Sequence, residues 1–144
     1  MGGGPSSREF SSADMEKMQQ LAEARLKDLA SKSTKVLFAC EDTDRASLDA
    51  LLAESIAFQK DRISVIDSGQ VKDVDAALAD TTFLIVFTHQ TRHASFIDSV
   101  IDKAMAKRIS GLHVKATTKS LIPSKVAAYR WRSFTWNEME LLFK

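Results

Sequence analysis

The chain alternates short runs of β-forming residues with longer stretches whose apolar residues recur at helical spacing. The runs lie at residues 35–39, 62–66, 82–87, 109–115 and 130–134. The first three runs and part of the fourth are nearly continuous in Val, Ile, Leu and Phe, which is typical of strands buried on both faces. This alternation predicts βαβ units, in which helices cover both faces of a parallel sheet.

Apolar stripes that suit packing on such a sheet recur between the runs. They are Leu48, Leu51, Leu52 and Ile56; Val71, Val74 and Leu78; and Ile97, Val100, Ile101, Ala104 and Met105. Pro123 precedes a predicted short helix over 124–128, and Thr135 with Glu138 has capping-box spacing for a closing helix. This order of elements favours a flavodoxin-like, doubly wound α/β fold with five parallel strands in the order 2-1-3-4-5. The residues expected to be buried in its sheet are Val36, Phe38, Ile63, Val65, Leu84, Val86 and Leu112.

Three segments follow one another along the 144 residues. Residues 1–10 are rich in glycine and small polar residues, so we expect a flexible leader with the composition of an expression tag. Residues 11–32 carry Met and Leu at helical intervals behind a capping pair of Ser11 and Asp14. This pattern predicts an additional amphipathic helix, which packs on its own domain or forms the seam of a helix dimer. Residues 33–144 are predicted to form the α/β domain.

The composition argues against several classes of function. Lys and Arg number 20 and Asp and Glu number 19, so no overall charge favours binding to nucleic acid or to an anionic membrane. The apolar runs are shorter than the roughly 20 residues that cross a bilayer, and we expect a cytoplasmic protein that does not bind membranes. Cys40 is the only cysteine, which excludes an intrachain disulfide and a multi-cysteine metal site. No metal site is predicted.

The carboxyl edge of the predicted sheet is where we expect a ligand to bind. Open α/β sheets bind ligands outside the carboxyl ends of the strands, where the strand order reverses. In the predicted order this point lies between the first and third strands. The ligand-binding candidates that the sequence places near this edge are Cys40, Glu41, Asp42, Asp67, Thr88, His89 and Arg92.

Several specific chemistries at this edge lack one of their required groups. Cys40 beside His89 would pair a thiol with an imidazole, but no third group that orients the imidazole is evident. His89 and His93 have the i,i+4 spacing of metal ligands without a third ligand. A phosphoryl-accepting receiver domain shares the topology but needs an aspartate after its third strand, where this chain has Thr88 and His89. No glycine-rich phosphate loop follows a strand, which disfavours nucleotide binding by that mechanism.

Three segments together resemble a known family. They are VLFACEDTDR, TTFLIVFTHQTRHASFIDSVIDKAMAKRISGLHVK and IPSKVAAYRWRSFTWNEM. In this order they resemble bacterial Toll/interleukin-1 receptor-like (TIR-like) domains, and more closely the group that includes the sensor proteins of the Thoeris antiphage system. The resemblance extends from about residue 35 to the C-terminus. It implies a five-stranded signalling domain that either cleaves NAD at its nicotinamide bond or acts as a self-associating scaffold.

The position of the family's catalytic glutamate favours the scaffold. The resemblance implies a glutamate four residues after an aromatic residue of the third helix, and counting from Phe96 that position is Val100. Valine neither accepts a proton nor bonds a ribose, and Val100 falls within an apolar stripe that predicts a core residue. We therefore expect a noncatalytic module without a cofactor. Its partner would be a second copy or another TIR-like domain, and Phe96 would lie beside the ligand cleft.

Two other functions stay open. One is an NAD-cleaving hydrolase or cyclase that takes NAD as its substrate, produces a nucleotide signal and uses Asp98, Glu41 or Asp42 in place of the missing glutamate. Asp98 lies about 160° around the helix from Val100, so this role requires a different helix orientation. The other is an enzyme or redox sensor that depends on Cys40. The first alternative requires a carboxylate that projects into the cleft beside Phe96.

Overall fold

The computed structural model describes residues 10–27, 35–55, 60–70 and 73–142. Helices and strands alternate along them. In chain order they are α1 (Ser12–Lys27), β1 (Val36–Cys40), α2 (Arg45–Glu54), β2 (Ile63–Asp67), α3 (Val74–Ala79), β3 (Phe83–Thr88), α4 (Ser95–Ala106), β4 (Ser110–Lys115), α5 (Ser124–Ala128), β5 (Ser133–Thr135) and α6 (Trp136–Leu141). None of the helices in these residues is long and apolar enough to span a membrane.

The five strands form one parallel sheet in the order β2-β1-β3-β4-β5. This confirms the predicted flavodoxin-like, doubly wound α/β fold with an additional N-terminal helix. The chain first moves outward from β1 to β2 and then returns past β1 to β3. The strand order therefore reverses between β1 and β3, and the loops that follow these two strands diverge at the carboxyl edge.

The central strands are buried because helices cover both faces of the sheet. Val36 and Phe38 of β1 point into one apolar layer, which α2 and α6 complete with Leu48 and Trp136 among others. Leu37, between them in sequence, points into the opposite layer, to which α3, α4 and α5 contribute. Alternate residues of a strand face opposite sides, so a continuous apolar run supplies both layers at once.

The first three strands each lie one residue later in the sequence than predicted. Their last residues are Cys40, Asp67 and Thr88, which we expected to follow the strands. They belong to the sheet because Cys40 pairs with Asp67, and Thr88 pairs with Lys115, in parallel register. These three side chains are consequently buried beneath the carboxyl edge instead of lining it.

The strands at the two edges of the sheet differ from the prediction. Ile63 and Val65 were expected to be buried, but they are half-buried because β2 is an edge strand with one neighbouring strand. The fifth strand was predicted over 130–134 and begins only at Ser133. Arg130 adopts a positive φ of 60°, so the turn after α5 continues into the predicted strand.

Helix α1 packs on its own domain, as one of the two sequence interpretations expected. The predicted capping pair is present, since the Asp14 amide donates to Ser11 Oγ at 3.0 Å. Met18 joins one apolar layer and Leu26 the other. The helix therefore passes beside β4 from one face of the sheet to the other. The predicted end of the helix at residues 28–32 lies outside the described residues, as do residues 1–9, Ile56 and Val71. Phe10, assigned to the leader, forms an edge-on ring contact with Tyr129.

Gln19 of α1 completes the hydrogen bonding of the β4 edge. Strand β5 pairs with His113–Lys115, so in the described part of the chain the first half of β4 has no strand on that side. The side chain of Gln19 is buried, and its Nε2 donates to the Gly111 carbonyl oxygen at 3.5 Å. Its Oε1 accepts from the Arg132 amide at 2.7 Å. One glutamine thereby bonds backbone groups on both sides of the gap between β4 and β5.

Replacing Gln19 with alanine is expected to lower the free energy of unfolding by about 1–3 kcal/mol, because buried backbone groups lose their partner. Gln20→Ala is the matched control, since Gln20 is the adjacent residue and is exposed. Urea denaturation followed by circular dichroism measures both variants. Equal stability of the two variants would show that the hydrogen bonds of Gln19 do not stabilise the β4 edge.

Candidate functional site

A cleft of about 750 Å³ opens at the carboxyl edge of the sheet, between the loop that follows β1 and the loop that follows β3. We call it the carboxyl-edge cleft. Its lining residues are Glu41, Asp42, Thr43, Gln90, Arg92 and His93. It lies where the strand order reverses, and its volume is within the range of about 300–1,000 Å³ that is common for small-molecule sites. All six of these lining residues are polar or charged, which suits a polar ligand.

Asp44 holds the two loops of the cleft together. The carboxylate is fully buried and accepts hydrogen bonds from the backbone amides of His89, at 3.0 Å, and Gln90, at 2.9 Å. The hydroxyl of Thr91 donates to the same carboxylate. A buried charge needs such donors to offset its desolvation. Asp44 therefore joins the loop after β1 to the loop after β3 and fixes the distance between the two walls.

Asp67 braces the loop after β2 and is not among the residues that line the cleft. It is buried at the end of β2, where its Oδ2 accepts from Arg45 Nη1 at 2.7 Å. Its Oδ1 accepts from the backbone amides of Gly69, at 2.8 Å, and Gln70, at 3.0 Å. Each oxygen is already bonded, so this predicted ligand-binding residue acts in the structure as a brace for the loop after β2.

Glu41 is a lining residue with one structural bond. Its Oε2 accepts from the amide of Ile97, the third residue of α4, at 3.3 Å. The residue before the helix, Ala94, provides no side-chain cap. Amides in the first turn of a helix lack partners within the helix, and a carboxylate there is favoured by the helix dipole. Glu41 thus caps α4 from another loop, and its second oxygen has no bond among the described residues.

Asp42 is the exposed acidic residue of the same wall. Its backbone amide donates to Ser68 Oγ at 2.9 Å, which fixes the main chain. Within the described residues its carboxylate has neither a hydrogen bond nor an ion pair. Of the acidic residues proposed from the sequence, Asp42 therefore has the most available carboxylate.

Cys40 is part of the core. The thiol is fully buried, and burial, together with the negative charge of Asp67, raises the pKa of Cys40 to about 12. At neutral pH the reactive thiolate is essentially absent. His89 is half-buried, and its buried Nδ1 has no hydrogen-bond partner among the described residues, so it does not bond the thiol. This geometry does not favour a Cys40-dependent chemistry.

Thr88 begins a buried chain of polar groups that runs across the sheet. Its hydroxyl donates to the Leu121 carbonyl oxygen at 2.7 Å, so His113 Nε2, 2.8 Å from the same hydroxyl, must be a donor. His113 Nδ1, 2.8 Å from Ser133 Oγ, is then an acceptor. Burial, with a smaller contribution from the positive charge of Lys115, lowers the pKa of His113 to about 3. The ring is therefore neutral and carries its proton on Nε2.

Helix α4 carries Phe96 and Val100, which the family resemblance singles out, and Asp98, the candidate substitute for the missing glutamate. Phe96 is half-buried and packs against the apolar layer beneath α4. Val100 is fully buried in that layer, so it is the core residue that the apolar stripe predicts. Asp98 accepts from Ser124 Oγ and from the Lys125 amide, both at 2.9 Å. It caps α5 and is not among the residues that line the carboxyl-edge cleft.

The cleft thus combines predicted and unpredicted residues. Of the ligand-binding candidates, Glu41, Asp42 and Arg92 line it. Thr43 and Gln90 were missed, although both lie in the loops where the other candidates were found. His93 was considered only as a metal ligand. In the segments that the structure describes, no group of three or more His, Cys, Asp or Glu side chains is placed to hold a metal ion.

No protein-family profile matches the chain, and no curated protein matches it. Among solved structures, a Burkholderia pseudomallei protein described as pilus assembly-related is similar, with a TM-score of 0.42 and 13% identity. That likeness covers 78% of this chain and 85% of the other. It is too weak to inform the function, and the fold assignment rests on the strand order described above.

Proposed function

We propose that this chain is a noncatalytic TIR-like signalling or interaction module that acts in the cytoplasm and recognises its ligand or partner at the carboxyl-edge cleft. The observation that carries the proposal is the position of Val100. Its side chain is fully buried in the apolar layer between α4 and the sheet. At this position the resemblance implies a catalytic glutamate in enzymatic relatives. A residue in the core cannot contact a bound dinucleotide. The module requires no cofactor.

The bonds of the neighbouring carboxylates also support a noncatalytic role. Asp98 caps α5 with both oxygens, and Asp67 is bonded through both of its oxygens. Glu41 uses one oxygen to cap α4. A catalytic carboxylate must face the atoms on which charge develops in the transition state. Asp98 and Asp67 therefore serve the fold, and Glu41 does so with one of its two oxygens. In the proposal, the partner is a second copy of the chain or another TIR-like domain, as in signalling by self-association.

The second candidate is an NAD-cleaving hydrolase or cyclase that works with a substitute carboxylate. The observation in its favour is Asp42, which is exposed in the cleft without a bond to its carboxylate among the described residues. Scission of the nicotinamide–ribose bond builds positive charge on the ribose, and Asp42 with Glu41 would stabilise that charge. The alternative assigns NAD as a substrate and not as a cofactor.

Incubation of the purified protein with NAD separates the two candidates. We expect nicotinamide release at the background rate, measured by liquid chromatography. A well-placed carboxylate contributes on the order of a hundredfold or more to such a rate, and the proposed module lacks one at the position of Val100. Asp42→Asn is the informative variant, and Glu16→Gln is the control, since Glu16 is exposed on α1 away from the cleft. Rapid release that Asp42→Asn abolishes and Glu16→Gln preserves would establish the enzymatic candidate and overturn the noncatalytic one.

A further inference from the structure

The carboxyl-edge cleft has opposite charges on its two walls. The acidic wall is formed by Glu41 and Asp42 from the loop after β1, and the positive charge of the other wall comes from Arg92, which lies with His93 in the loop after β3. Among the residues that the structure describes, none of these four forms an ion pair, with one another or with any other side chain. Opposite charges that face one cleft without pairing leave their attraction available to a ligand.

Hydrogen bonds to the rest of the fold fix the positions of the two walls. Asp44 fixes the backbone of the loop after β3 through His89 and Gln90, just before Arg92. On the opposite wall, Glu41 is tied to α4, and the Asp42 amide is tied to Ser68. Because the main chain on each side is bonded to the fold, the two walls are preorganised around the gap. Preorganisation of this kind lowers the cost of binding.

We propose that the cleft binds a small zwitterion, a molecule with an ammonium group and a carboxylate separated by a short chain. The inference rests on the proposed function, in which this cleft is the recognition site. The ammonium group lies against Asp42 and Glu41, and the carboxylate lies against Arg92, whose guanidinium suits bidentate contact with carboxylates.

Charge complementarity selects the zwitterion over simpler ions. A purely anionic molecule pairs with Arg92 but is repelled by Glu41 and Asp42. A purely cationic molecule pairs with the two carboxylates but is repelled by Arg92. A zwitterion pairs with both walls and adds no net charge. The cleft lining also includes Thr43 on the acidic wall and Gln90 on the wall of Arg92, and both offer neutral hydrogen-bonding groups.

The probes that test the proposal are γ-aminobutyrate and ε-aminocaproate, each compared with two molecules of equal chain length that carry one charge. These are butyrate and butylamine for the first and caproate and hexylamine for the second. Titration of the isotope-labelled protein at low ionic strength, followed by amide chemical shifts, gives the affinities. We expect at least one zwitterion to bind about tenfold or more tightly than both of its matched ions. The shifts should concentrate in the loops after β1 and β3.

Two variants locate the effect. Arg92→Gln should reduce the zwitterion's affinity to that of the matched amine. Asp42→Asn should reduce it toward that of the matched carboxylate, with Glu41 left on the acidic wall. Both substituted residues are exposed, so neither change is expected to disturb folding, which circular dichroism checks. Lys119→Gln and Glu16→Gln are the controls, because each removes an exposed charge of the same sign outside the cleft lining.

Three outcomes would each overturn the proposal. They are equal affinities for a zwitterion and its matched ions, no binding of either zwitterion, and a preference for the zwitterion that persists in both cleft variants. None of these outcomes bears on the noncatalytic function, which fails only if the protein releases nicotinamide rapidly. Rapid release would conversely leave the measured preference for a zwitterion intact. The two readouts therefore separate failure of the ligand class from failure of the function.

Discussion

Val100→Glu is expected to unfold the domain and not to create an active site. The side chain at this position is fully buried against the sheet, in a layer made of apolar residues such as Ile97 and Ile101. A glutamate there would lack a partner for its charge, at a cost of several kcal/mol against a total stability of roughly 5–15 kcal/mol. Circular dichroism and urea denaturation would report the loss of structure. Assays with NAD should show no gain in nicotinamide release.

Ser99→Glu is the matched control, because Ser99 is the preceding residue of the same helix and is exposed. It adds the same charge without burial, and we expect stability within about 0.5 kcal/mol of the original protein. A partly folded Val100→Glu protein should regain stability at acidic pH, where the glutamate is neutral. A stable Val100→Glu protein that cleaves NAD would mean that this position faces the cleft, which would contradict the burial described above.

The arrangement of strands and helices was predictable because each element carries its own periodicity. Continuous apolar runs imply strands covered on both faces, and the stripe that includes Ile97 and Val100 implies a helix on one of those faces. The chain direction at each crossover is constrained by handedness, which leaves few topologies for this order of elements. The capping box of Thr135 and Glu138 is present at the start of α6, because its bonds lie within a single turn.

Features that depend on contacts between distant parts of the chain were not predictable. Helix α1 reaches β4 through Gln19, a residue whose sequence neighbours give no indication of a buried amide. Gly111 is required because a Cβ there would lie 2.4 Å from the Leu84 carbonyl oxygen and 2.5 Å from the Trp131 ring. Neither contact leaves a periodic signal. Such features follow from the packing of the β4 edge, which the sequence pattern does not describe.

The candidate site shows the same limit. The sequence located the loops of the cleft, because residues that follow parallel strands meet at one edge. It could not distinguish carboxylates that face the ligand from those that brace the loops. Asp42, Asp44 and Asp67 are alike in sequence, yet only Asp42 lines the cleft, while the other two are buried with several donors each. Their roles depend on partners in other loops.

Acidification is expected to destabilise the domain through His113. The pKa of His113 is about 3 in the folded protein, against an ordinary value of 6.5, so the unfolded chain binds one more proton between these values. The stability that depends on the neutral ring is fully present above about pH 6.5 and is lost progressively as the pH falls toward 3. The slope is about 1.4 kcal/mol per pH unit, which amounts to about 3 kcal/mol between pH 6 and pH 4.

His113→Gln tests this contribution, because glutamine keeps an amide donor for Thr88 but does not titrate. Urea denaturation at several pH values should give a stability that falls less steeply with acid in the variant, by about 1.4 kcal/mol per pH unit. Carboxylates that titrate in the same range are present in both proteins and cancel in the comparison. Identical slopes for the original protein and His113→Gln would show that the buried ring does not couple folding to pH.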